Sequence, residues 1–178
     1  MTSWQPTEEA AHRYRRPALL TGLAGFLLLA CWPVEHIELH MANNLCRMPD
    51  RGFALQWQHS VEKEDWREEY VRQGRKLLLT RSQFKTYGAG TPSSGQLQDQ
   101  GRGLIGYQVN RSLERLSWTV SGNVRSTLWL DNMAWPVHAW LDDYEELDFQ
   151  VRRLPLWRFL LVDSCHDLFR KTDGRSRQ

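Results

Sequence analysis

The sequence predicts a mainly β domain, an antiparallel sandwich or small open barrel, preceded by a single N-terminal hydrophobic helix. Three observations carry that expectation. From Phe53 onward, short segments alternate apolar and polar residues, the period of a half-buried strand. Turn-like stretches such as Gln73-Gly74 and Ser121-Gly122-Asn123 separate them, and no long amphipathic helix intervenes, which argues for antiparallel pairing. Upstream, an uncharged run from Pro17 to Val34 follows Arg13, Arg15 and Arg16.

With 178 residues, 41% hydrophobic and 25% charged, the chain has the length and composition of one globular domain with a real core. A net charge of +2 without a basic stripe gives no nucleic-acid footprint, so no nucleic-acid partner is expected. Residues 1–16 read as a cytoplasmic N-terminal segment, because arginines ahead of an apolar run keep that end inside. Residues 17–34 read as a membrane anchor or signal segment, with membrane lipid as the expected partner. At about 1.5 Å per residue its roughly 18 residues reach about 27 Å, just short of the ~30 Å hydrocarbon core. "LLLAC" resembles a bacterial lipobox, which would lipidate Cys31, although Leu29 is an unusual choice beside Ala30. An uncleaved anchor is the preferred reading, with a lipoprotein and a cleaved, secreted form as alternatives. Each of the three exports everything after Val34.

Residues 35–52 read as a linker. Within them "HIELH", His36 to His40, has the i, i+4 histidine spacing of a zinc helix but not the order of the metalloprotease motif, so a polar segment just outside the membrane is expected and no metal. Setting Cys31 aside leaves Cys46 and Cys165, an even pair in an oxidising compartment. A disulfide and two unpaired buried thiols both remain open.

The extracytoplasmic β domain is expected over residues 53–162. In "FALQWQHSV", Phe53, Leu55, Trp57, His59 and Val61 share one face. "WREEYVR" and "RKLLLTRSQF" read as the next strands, followed by a glycine-rich stretch without periodicity, "YGAGTPSSGQLQDQGRG". "LIGYQV", "LSWTV", "STLWL", "WPVHAWL" and "LDFQV" complete the strands. "LPLWRFLLVDSCHDLF" fits a final strand or a short helix, and residues 163–178 read as a C-terminal tail, frayed from Lys171.

A hairpin over the tip "EKED" would pair Val61 with Trp66, His59 with Glu68 and Trp57 with Tyr70. An imidazole beside a carboxylate is oriented through one nitrogen and leaves the other for a partner. Four readings stay open for His59 and Glu68: a structural hydrogen bond, a ligand or partner contact, a catalytic base, and a metal site. Ser60 follows His59 directly on a strand and points to the opposite face, so the two do not form a nucleophile–base pair. "GAGTP" carries Gly88, Gly90 and Pro92; it could approach an anion but lacks the lysine of a phosphate loop, and its plainer reading is a glycine turn.

"HSVEKEDWRE" followed by "FKTYGAGTP" resembles a bacterial family known as domain of unknown function 1850. The resemblance rests on His59, Ser60, Val61, Glu68, Gly88, Ala89, Gly90 and Pro92. It implies a small exported β-rich domain, associated with the membrane components of TAXI-class TRAP-type solute transporters. The charged "EKED" tip, Cys46 and the basic tail depart from the family pattern. The expectation is a single-pass protein of the bacterial inner membrane whose C-terminal domain lies in the periplasm and acts as a binding or accessory module, not an enzyme. Contact with a ligand or partner is expected through His59, Ser60, Glu68, Gly88, Gly90 and Pro92, an integral-membrane transporter subunit being the candidate partner. No cofactor is expected. The alternatives are a periplasmic hydrolase using His59 and Glu68, and a purely structural envelope protein.

Overall fold

The computed structural model describes residues 21–42, 44–85, 96–99 and 105–175. Among these, eleven strands make two antiparallel sheets. One has the order β2-β1-β11-β8, from β1 (Pro33–Met41), β2 (Asn44–Arg47), β8 (Arg115–Thr119) and β11 (Glu146–Pro155). The other has the order β10-β9-β3-β4-β5-β7-β6, from β3 (Phe53–Gln58), β4 (Asp65–Gln73), β5 (Lys76–Phe84), β6 (Gln96–Asp99), β7 (Ile105–Leu113), β9 (Thr127–Leu130) and β10 (Met133–Trp135). Neither sheet closes on itself, so the fold is mainly β with two open sheets and no closed barrel.

Alternation explains where the core lies. Ile37, Leu39 and Met41 from β1 and Leu147 and Phe149 from β11 are buried together with Phe53, Leu55, Leu77, Leu128 and Leu130 of the larger sheet. The Phe53 ring stacks on Phe149 with centroids 4.5 Å apart and on Tyr70 at 5.2 Å, joining the two sheets. Gly52 makes this entry to β3 possible. Its φ is +97°, and a Cβ there would lie 2.2 Å from the Tyr70 carbonyl oxygen, so only glycine fits.

Three expectations change. Residues 35–52 are not a linker: they contain most of β1 and all of β2, with Ile37, Leu39, Met41, Cys46 and Met48 buried. The period-2 pattern of "HIELHM" was a strand signal hidden by its nearness to the apolar run. The glycine-rich stretch is not wholly aperiodic, because Gln96–Asp99 adds β6 to the edge of β7. After β11 the chain forms two helices, α2 (Leu156–Phe159) and α3 (Cys165–Arg175). Of the expected tail 163–178, the described residues 163–175 are not loose: Phe169 is fully buried against Trp135 and Trp140, with centroids 5.4 and 5.1 Å away, and Cys165 is joined to Cys46 by a disulfide.

Residues 21–30 are helical (α1), and every position from 21 to 29 is exposed. The expected span 17–34 does not continue as helix to its end, since Trp32 precedes Pro33, which disfavours helical geometry, and Pro33 opens β1. No described helix is long and apolar enough to cross a membrane. The chain divides into two compact units, one of residues 35–153 with 162–178 and one of residues 1–34 with 154–161.

Candidate functional site: an aromatic row with an inward carboxyl

The β3–β4 hairpin is longer at its tip than expected, and its register differs. Trp57 pairs with Trp66, Gln58 with Asp65, Leu55 with Glu68 and Phe53 with Tyr70. Trp66 thus faces Trp57 and not Val61, a slide of four residues along β3, so His59 and Glu68 are not partners. The local cause is the turn. His59 donates its backbone N–H to the Glu64 carbonyl at 2.7 Å, and Lys63, at φ +58°, donates its own to the His59 carbonyl at 3.0 Å. This closes the tip over residues 59–64 and leaves Ser60 exposed and Val61 74% exposed. Because the slide is an even number of residues, the inward and outward faces are the expected ones.

His59 instead folds back onto the hairpin. Its imidazole lies against the Glu62 carboxylate, and its ring stacks on Trp66 with centroids 5.0 Å apart. Trp66 stacks on Phe84 at 5.0 Å, and Phe84 on Tyr107 at 5.8 Å. Trp57 adds contacts to Trp66 at 6.1 Å and, from β8, to Trp118 at 6.5 Å. The result is a continuous row of rings from the hairpin tip across β4, β5 and β7.

One residue pair along, the inward face turns polar. Glu68 pairs with Ser82 of β5, and Ser82 with Tyr107 of β7. The Tyr70 hydroxyl donates to Glu68 Oε2 at 2.5 Å. Burial raises the Glu68 carboxyl above its ordinary value, opposed by the Tyr70 hydrogen bond and the Arg111 charge. Burial likewise raises the Tyr70 phenol, reinforced by the charge and hydrogen bond of Glu68. Ser82 is fully buried, and its Oγ has no hydrogen-bond partner among the described residues. A half-buried carboxyl and an orphaned hydroxyl thus sit side by side, between the Trp57–Trp66–Phe84 rings and the Phe53–Tyr70 pair. Such an arrangement sets a hydrogen-bond acceptor and an unpaired hydroxyl within an apolar lining of rings.

Of the residues singled out in the sequence, His59, Ser60 and Glu68 come to one end of the large sheet, with His59 at the tip, Ser60 on its outside and Glu68 on the inward face. Gly88, Gly90 and Pro92 lie outside the described residues; in sequence they follow Phe84, a member of the ring row. Cys31 is an exposed free thiol just beyond α1. The expected pairing of His59 with Glu68 is not formed, since Glu68 stands opposite Leu55.

Ser82, Phe84 and Tyr107 were missed because a bulge hides them. Glu69 pairs with Arg81 but Tyr70 with Leu79, leaving Thr80 unpaired in the ladder, its hydroxyl donating to the Glu69 carbonyl at 3.0 Å. Strict alternation from Leu77 and Leu79 would turn Arg81 and Gln83 inward; the extra residue turns Ser82 and Phe84 inward instead.

Two other polar features stand apart from this site. On β1, His36, Glu38 and His40 share a face, with His40 Nε2 at 2.6 Å and His36 Nε2 at 3.6 Å from the Glu38 carboxylate, and Arg152 at 3.6 Å. Burial lowers the His36 pKa against the opposing pull of Glu38. "HIELH" is thus a strand motif, and the described residues contain no His, Cys, Asp and Glu grouping that could hold a metal ion. On the outer face of the large sheet, a hollow of about 280 Å³ is lined by Arg51, Arg67, Glu69, Thr80, Trp129 and Asn132, among others. Arg67 lies over the Trp129 ring there, 4.7 Å from its centroid.

No curated protein and no solved structure matches the chain significantly. Residues 53–137, from the start of β3 to just beyond β10, match the family model described as Domain of unknown function (DUF1850). The matched stretch holds the ring row, Glu68 and Ser82, and over it the chain is similar to that domain of unknown function.

Proposed function

We propose that the protein is a membrane-anchored extracytoplasmic binding or accessory module, and that the hairpin tip and ring row are its contact surface. The observation that carries the reading is the hairpin tip, where Ser60 and Val61 are exposed and the half-buried His59 lies against the Glu62 carboxylate and stacks on Trp66, the start of the row of rings. The half-buried rings of the row, Trp57, His59 and Tyr107, offer rigid contact area at little entropic cost, backed by the buried Trp66 and Phe84. A segment with hydrogen-bond donors and an apolar face fits this chemistry. A TRAP-type, TAXI-class transporter subunit is the candidate partner that the family resemblance implies.

Anchoring rests on the apolar run of the sequence and on the exposure of Leu23, Phe26, Leu27, Leu28 and Leu29 along α1. Affinity capture of the tagged full-length protein from gently solubilised membranes tests the reading. It predicts an integral-membrane permease that accompanies the wild type and is lost with His59→Ala, while the variant keeps its folded yield. Equal recovery with both proteins would leave the hairpin tip without a docking role.

A further inference from the structure

Exposed apolar residues are concentrated in the smaller unit. Besides the α1 side chains, Trp32 is 66% exposed, Trp157 49%, Leu160 66% and Leu161 76%. They belong to one assembly, because the Leu156 backbone N–H donates to the Trp32 carbonyl at 2.8 Å, fixing the start of α2 beside the end of the apolar run. Four consecutive features of "LPLWRFLL" then follow a membrane-interface pattern. The segment leaves β11 at Pro155 and makes a single helical turn. Trp157 carries a polar N–H on an apolar ring, and the Arg158 guanidinium lies 5.7 Å from that ring's centroid. Leu160 and Leu161 project beyond the turn. Large exposed leucines beside tryptophan and arginine are costly in water but suit the headgroup boundary, where tryptophan rings settle and arginine stems snorkel to phosphate.

We infer that the segment 154–161 is a second membrane contact, a short interfacial foot that inserts Trp157, Leu160 and Leu161 among the headgroups and acyl chains of a bilayer containing anionic phospholipid. A bilayer is the occupant the observations favour over a protein. The patch is continuous with the apolar run through the Trp32–Leu156 hydrogen bond, and Arg158 supplies positive charge within the segment itself. A protein partner would demand a shaped surface, whereas these side chains stand out singly from a turn. One short turn contributes only modest affinity, so its effect is to fix how deeply this segment sits once the chain is anchored. The inference rests on the membrane-anchoring part of the proposed function.

The test uses the full chain, purified and reconstituted into vesicles of phosphatidylethanolamine and phosphatidylglycerol. Leu160→Cys carries an environment-sensitive fluorophore in a Cys31→Ser background, and Glu114→Cys, in an exposed turn between β7 and β8, carries it as control. Flotation of the vesicles reads anchoring itself. The expected result is that both proteins float, that the label at 160 shifts to the blue, is quenched by lipids brominated on their acyl chains and loses quenching by aqueous iodide, and that the label at 114 shows none of these changes. Flotation with a water-exposed label at 160 would overturn the foot and leave anchoring intact. Absence of flotation would overturn both. If the label at 160 is protected but indifferent to brominated lipid, the patch is covered by protein and the bilayer assignment falls.

Discussion

Glu68 is a carboxyl whose burial opposes its charge. It sits on an inward face between Trp66 and Tyr70, held by a phenol hydroxyl at 2.5 Å, and burial raises its pKa. Because the folded carboxyl binds its proton more tightly than the unfolded one, the stability this group contributes is fully present below the unfolded pKa and is lost as pH rises through the folded one. A neutral isostere avoids that loss and can still accept from Tyr70. Glu68→Gln is therefore expected to melt no lower than the wild type at pH 7, with any advantage vanishing near pH 4, as followed by thermal denaturation at both pH values. A large destabilisation at pH 7 would mean that the ionised carboxylate is structurally required. His59 differs in kind: it is tied by its backbone and by Glu62 at the tip of the hairpin, where a change of side chain alters the surface more than the core.

At the scale of elements, the disulfide and α3 act together. Cys46 of β2 and Cys165 at the start of α3 are separated by 119 residues and are both fully buried, and the helix they fix inserts Phe169 between Trp135 and Trp140. Removing both thiols by Cys46→Ala and Cys165→Ala is expected to cost roughly 4 to 5 kcal/mol by the loss of chain constraint, measured by denaturant unfolding of the oxidised wild type against the double variant. A change below about 1 kcal/mol would show that packing alone holds α3 in place. How much of these elements could be read beforehand followed from periodicity. β3, β4 and β11 announce themselves by alternation, and so does the inward placement of Trp57, Trp66 and Glu68. The hairpin register was not legible, because it depends on Lys63 adopting a left-handed backbone, which composition does not signal. Nor was the Glu68–Ser82 pairing, since it depends on the bulge at Thr80. β1 and α3 were obscured for another reason: each lies beside a segment, apolar or basic, whose composition dominates the window.

Over the whole molecule, the same chain presents two kinds of surface. The larger unit gathers rings, a carboxyl and a buried hydroxyl at one end of its seven-stranded sheet; among its described residues the smaller one exposes leucine, phenylalanine and tryptophan. A binding module tethered beside a membrane component gains effective concentration from the tether, so even weak contacts by the hairpin tip suffice for a stable association. The central claim is that this tip meets a membrane partner. Its most direct test places a photo-crosslinking amino acid at Ser60, exposed on the tip, and at Arg75, exposed in the β4–β5 turn at the opposite end of the strands, and illuminates intact membranes. The account predicts a discrete crosslink to an integral-membrane protein from position 60 and none from position 75. No crosslink at 60, or equal products at both positions, would contradict it.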